Sequence, residues 1–205
     1  MSRRTTLIAV LAVSLLVLCG AWLTVALTIH RNSTQAADTS PNTAIGGAFT
    51  LVDTRGKTVT DQAYRGKWML IYFGYTFCPD ACPTALNNIS AALEKLGSEA
   101  DKIEPLFITV DPKRDTPQVM TDYLKSFDSR IVGLTGSKTQ TDAAAHAYRV
   151  YVSAQKSDGD DYLVDHSAYI YVMNPQGKFV SVIPGDMAGD KMADQLRATM
   201  AHAGT

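Results

Sequence analysis

The chain has 205 residues, 46% of them apolar, and a formal net charge of −1. That is apolar mass for one ordinary core and too little for two large domains. With no basic excess and no Lys/Arg-rich run, nucleic acid is excluded as a partner.

Arg3 and Arg4 precede an uncharged stretch of 23 residues, Leu7 to Ile29. As a helix it would run roughly 34 Å, enough for a bilayer core of about 30 Å. Residues 1–31 therefore read as a membrane anchor, and the paired arginines place the N-terminus inside. A cleaved signal peptide is the rival reading, with Thr24-Val25-Ala26 as a small-residue site. Beyond residue 31 the chain carries 16 basic and 20 acidic groups, a net of −4. The expected location is a bacterial cytoplasmic membrane, crossed once, with a soluble domain on the periplasmic or outer side. Cys19 lies within the apolar stretch and reads as an ordinary membrane residue.

Residues 32–47 (NSTQAADTSPNTAIGG) have no aromatic residue and little apolar mass, the composition of a flexible tether. A single domain is expected over 48–205. It opens with AFTLVDTRGKTVT, two short apolar runs flanking Asp53-Thr54-Arg55-Gly56, a hairpin. Trp68 to Tyr72 is continuously apolar, the pattern of a strand buried on both faces. After the cysteines, Leu86, Ile89, Leu93 and Leu96 fall at helical spacing and stop at Gly97. Ile103 to Val110 is a strand, and Pro117 opens a helix to about Phe127. Ile131–Leu134 is a short strand and Thr139–Tyr148 an alanine-rich helix. Strands at Ala168–Met173 and Phe179–Ile183 are joined by a turn at Asn174-Pro175-Gln176-Gly177, and a last helix runs from about Gly189 to Ala203. This alternation predicts an α/β fold whose central mixed sheet is flanked by helices, with hairpins at both ends.

Two of the three cysteines stand four apart in GYTFCPDACPT, Gly74 to Thr84. Pro83 disfavours helix at Cys82 and suits a first helical position, so Cys82 is expected to cap a Pro83–Leu96 helix with Cys78 in the loop above it. A strand-to-helix junction is the usual place for a site in an α/β sheet, and the helix terminus favours thiolate. Three readings compete. A structural disulfide would close so small a loop that it removes little unfolded-state entropy. A redox pair fits the two thiols, although thioredoxin-type centres have two intervening residues and this pair has three. A metal clamp needs a further ligand.

Four histidines could supply it. His30 adjoins the apolar stretch, His202 ends the last helix, and His146 sits in an alanine-rich helix. His166 stands just before an apolar strand, between Asp165 and Ser167, which could orient its ring. Two thiolates and one imidazole suit Cu(I) and, with the nitrogen, Cu(II). Zinc would want a fourth ligand, for which only Asp80 or Asp165 offers itself.

These residues closely resemble the Sco/SenC family of membrane-tethered copper proteins that assemble cytochrome oxidase. The matching stretches are YFGYTFCPDACP (72–83), DPKRDTP (111–117), GLTG (133–136), AYRVYV (147–152) and VDHS (164–167), within about residues 45–200. The resemblance implies a thioredoxin-like fold with an inserted hairpin, and copper, as Cu(I) and Cu(II), bound by Cys78, Cys82 and His166. It implies a metallochaperone rather than an enzyme, serving the dinuclear copper centre on cytochrome c oxidase subunit II. Other periplasmic copper chaperones or thiol reductases are further expected partners. The alternative role is a thiol–disulfide oxidoreductase, with Cys78 and Cys82 as a redox pair that reduces the copper-ligand cysteines of subunit II. Around the site, Asp111 and Arg114 are expected to form an ion pair, with Asp115 or Thr116 capping the next helix. Tyr75 and Phe77 would shield a metal or pack the loop. Met187 and Met192 read as packing residues.

Overall fold

The computed structural model describes residues 44–155 and 162–202. The predicted anchor, Cys19, His30 and the tether up to Thr43 lie outside them. Packing begins before residue 48: Ile45 lies against the core, and the Gly46 amide donates to the Ala147 carbonyl (2.9 Å).

Strands β1 (Thr50–Asp53) and β2 (Thr58–Thr60) form the expected hairpin. The Asp53 carboxylate closes its turn by accepting from the backbone amides of Arg55 and Lys57, both at 2.9 Å. Strand β3 (Trp68–Gly74) is buried at all seven positions, as a continuous apolar run requires of a central strand. Helix α1 (Ala81–Leu96) leads back to β4 (Ile103–Thr109), and α2 (Pro117–Leu124) leads to β5 (Val132–Thr135). Thr116 caps α2, its hydroxyl accepting from the Val119 amide at 3.3 Å. Then come α3 (Lys138–Ala147), the short strands β6 (Val152–Ala154) and β7 (Val164–His166), the hairpin β8 (Tyr169–Met173) and β9 (Phe179–Pro184), and α4 (Gly189–His202).

The main sheet has seven strands in the order β2-β1-β5-β4-β3-β8-β9. Strands β3, β4 and β5 are parallel and the outer pairings antiparallel, the mixed sheet that hairpins at both ends predict. One face packs under α1, α2 and α4 through Leu86, Met120 and Leu196; the other packs under α3 through Ala144 and Ala145. The strands β6 and β7 pair only with each other.

This topology decides where chemistry can gather. Gly74 and Thr109, the last residues of β3 and β4, are level in the parallel register, so the loops that follow them lie side by side. Strand β8 runs antiparallel to β3 with Ile170 opposite Tyr72. The residues just before β8 therefore arrive at the same edge of the sheet.

Candidate metal centre

Cys78 lies in the β3–α1 loop and is partly exposed, whereas Cys82 is fully buried; both are free thiols. Helix α1 begins two residues earlier than expected, with Asp80 at the cap and Cys82 inside the first turn. The first-turn amides have no intrahelical acceptor, so Pro83 withdraws no needed donor there. The Cys82 amide instead donates to Cys78 Sγ at 3.4 Å. Cys82 Sγ in turn accepts from the Tyr75 amide at 3.5 Å.

His166, 84 residues on, comes to 3.4 Å from Cys82 Sγ through its Nε2. Its Nδ1 lies 3.1 Å from the Ser167 carbonyl. A carbonyl only accepts, so Nδ1 carries the proton and Nε2 turns its lone pair toward the sulfurs. The ring stands edge-on to Tyr72 and Tyr75, at centroid distances of 6.0 and 5.9 Å. The donor atoms of Cys78, Cys82 and His166 all lie within 4.8 Å of one another. Two sulfurs and one correctly turned nitrogen form a soft, low-coordinate set that suits copper.

Asp165 is not the orienting group. Strand alternation sends it away from His166, and it accepts from Gln155 Nε2 at 3.1 Å. Ser167 orients the ring through its carbonyl, while its hydroxyl accepts from the Tyr151 amide. Asp80 is exposed at the helix cap. No carboxylate joins the three donors among the described residues, so the fourth ligand that zinc would want is not at hand. His146 faces a different cavity, of about 710 Å³, beside Lys138 and Asp142. His202 is exposed at the end of α4, and Met192 is fully buried in the core.

Three supporting groups hold the site in ways the sequence did not indicate, although Asp115 stands out there as a candidate helix cap and Tyr75 as a shielding or packing residue. Asp115 is wholly buried, accepting from the hydroxyls of Thr76 and Thr109 (both 2.6 Å) and from the Thr76 amide (3.1 Å). It ties the cysteine loop to the loop after β4. Burial pushes its pKa up, against those hydrogen bonds. Tyr75 Oη accepts from the Val164 amide at 3.2 Å and so holds β7. Tyr162 donates to Asp111 Oδ1 at 2.7 Å. The predicted Asp111–Arg114 ion pair is present and nearly buried.

The chain matches the SCO1/SenC family over residues 37–201. It belongs to that family. Protein sco1 of the fission yeast Schizosaccharomyces pombe is 43% identical over 169 residues, 80% of this chain and 64% of the relative. SCO1 homolog 2 of Arabidopsis thaliana is 46% identical over 153 residues, 74% of this chain and 55% of the relative. The chain thus spans little more than half to two thirds of these relatives' lengths. The solved structure of Bradyrhizobium japonicum ScoI, with copper bound, superposes with a TM-score of 0.71 at 45% identity, covering 76% of this chain and 99% of that one. The expected α/β fold, a mixed central sheet flanked by helices, is the fold observed, and it matches that of the solved Sco structure.

The expected bacterial location does not stand. Relatives from Arabidopsis, human and mouse are named as mitochondrial, and no helix among the described residues is long and apolar enough to cross a membrane. The arginine-flanked apolar stretch that motivated it lies outside those residues.

The two thiols differ. A hydrogen bond from Cys82 holds the Cys78 thiol well below its usual range, against burial, and the backbone amides of Asp80 and Cys82 add to it. Sharing that same bond, then burial, pushes Cys82 up. In the reduced, metal-free protein, iodoacetamide is expected to label Cys78 first. Its rate should change less than about threefold between pH 8 and pH 6, where an ordinary thiol slows by roughly seventyfold. Mass spectrometry of the labelled peptides reads this directly. Equal labelling of both cysteines with the ordinary slowing would contradict the assigned asymmetry.

Proposed function

We propose that the protein is a copper carrier that binds one ion through Cys78, Cys82 and His166 and passes it to the dinuclear copper centre on cytochrome c oxidase subunit II. The observation that carries this reading is the imidazole. Its Nδ1 proton is committed to the Ser167 carbonyl, and Nε2 faces the two sulfurs, a disposition that metal ligation needs and dithiol chemistry does not. Bound copper would supply one-electron exchange between Cu(I), which two sulfurs can hold, and Cu(II), which prefers the added nitrogen. The chain's own part is to present two free thiols beside the imidazole, Cys78 held toward thiolate, and to seal one side of the site with Tyr72 and Tyr75.

A second reading is favoured by the unequal thiols. Cys78, partly exposed and acidified, could attack a partner's disulfide sulfur, releasing one partner thiolate and forming a mixed disulfide. Cys82, once deprotonated, would attack Cys78 Sγ and release the second partner thiolate. The partner gains two electrons and the Cys78–Cys82 pair loses them.

His166→Ala separates the two. Cu(I) affinity should fall less than about tenfold, whereas Cu(II) should weaken by two to three orders of magnitude, one ligand's share of a tight site. The thiols should still form and reduce a disulfide. In cells, oxidase activity should fall to the level of a strain lacking the protein, with the variant stably present. Near-normal oxidase activity would sink the carrier and leave the reductase.

A further inference from the structure

His166 reaches the cysteines on a poorly supported arm. Strand β7 has three residues and pairs only with β6, outside the seven-stranded sheet. An isolated two-stranded ribbon is marginal in water. The two sulfurs, by contrast, stand on one continuous segment at the end of β3. Something other than a backbone ladder must keep the arm in register with the cysteine loop.

Arg114 occupies that position. Its guanidinium carbon lies 3.7 Å from the ring centroid of Tyr162, which leads into β7, and 4.7 and 5.7 Å from those of Phe77 and Tyr75 on the cysteine loop. Its Nε donates to Asp111 Oδ2, and Tyr162 donates to the other oxygen of the same carboxylate. The Arg114 side chain is only 9% exposed, and a desolvated cation binds aromatic faces more strongly than an exposed one. Tyr75 completes the circuit by accepting from Val164 in β7 while its ring stands edge-on to His166.

We infer that Arg114 is a positioning residue: stacked between Tyr162 and the aromatic residues of the cysteine loop, it holds the β7 arm so that His166 stays within reach of the sulfurs. The task needs a planar cation that can stack and donate to a carboxylate together, which lysine cannot reproduce. The inference rests on the three-ligand copper reading. Its signature is selective, because loosening the arm removes a nitrogen and leaves both sulfurs in place.

The test uses Arg114→Lys and, should that variant not fold, Tyr162→Leu, which removes the nearest ring and spares the Asp111–Arg114 pair. His166→Ala is measured alongside. In either variant Cu(II) affinity should fall about 10- to 100-fold, as for loss of a group that orients a ligand, and the spectroscopic signature of nitrogen ligation should weaken. Cu(I) affinity should stay within about threefold of the parent by chelator competition. In the metal-free protein the Val164 amide should exchange with solvent at least about tenfold faster. Cu(II) affinity, spectrum and Val164 exchange all equal to the parent would overturn the inference, and so would equal losses of Cu(I) and Cu(II). If His166→Ala leaves Cu(II) binding unchanged, the ligand reading falls separately, and Val164 exchange alone decides whether Arg114 holds the arm.

Discussion

Cys82→Ser is expected to abolish tight binding of both Cu(I) and Cu(II). On the scale of about 10–16 kcal/mol for a four-ligand thiolate and imidazole site, one ligand contributes about 2.5–4 kcal/mol, or two to three orders of magnitude in affinity. For Cu(I) the loss is the more severe, since a hydroxyl is a hard donor and leaves one sulfur where two are wanted. Cys82 also sits wholly inside the core cluster and accepts from the Tyr75 amide. Serine can keep that acceptance, so the fold should survive, with a modest loss of stability from the smaller side chain. Competition against a chromophoric Cu(I) chelator measures the affinity, and circular dichroism checks the fold. Unchanged Cu(I) affinity in a folded Cys82→Ser protein would remove this cysteine from the site.

Gly74→Ala should damage both the fold and the site. A Cβ at Gly74 would lie 2.7 Å from Cys82 Sγ, 2.8 Å from the Phe107 ring and 3.1 Å from that of Tyr72. All three are fully buried, so none can swing into solvent. Overpacking of this kind costs about 1–3 kcal/mol, which for a domain of this size lowers the melting temperature by about 2–12 °C. The sulfur must shift from its place 3.4 Å from His166 Nε2, so Cu(II) affinity should fall with the melting temperature. Calorimetry of the metal-free protein followed by copper titration separates the two effects. A variant that melts and binds like the parent would mean that Cys82 is not pressed against this backbone.

The parts legible from sequence are local. Trp68 to Tyr72, five of the seven buried residues of β3, announce themselves as an apolar run, and Asp53 ahead of Gly56 announces its turn. Cys78 and Cys82 are conspicuous because they share one loop, and His166 because it precedes an apolar strand. The parts missed depend on chain crossings. Asp115 and Thr76 are 39 residues apart and Val164 and Tyr75 are 89 apart, and no periodicity links such pairs. Strands β6 and β7 are too short for an alternation to be counted. The earlier start of α1 has a simpler cause: proline's restriction on its predecessor yields to the freedom of a first helical turn, and the Cys82 amide's bond to Cys78 favours the helical conformation.

The burial of Cys82 beneath the end of β3, with Cys78 partly open above it, gives the site a front and a back. In the proposed carrier, a receiving thiolate approaches from the partly exposed side, where Cys78 and His166 lie, and not past the buried Cys82. His166, on a ribbon outside the main ladder, can withdraw without breaking a hydrogen bond of the seven-stranded sheet. Cys82 is then the last donor to let go. Handover would be sequential and one-sided, and the order of release follows from how deeply each donor is set.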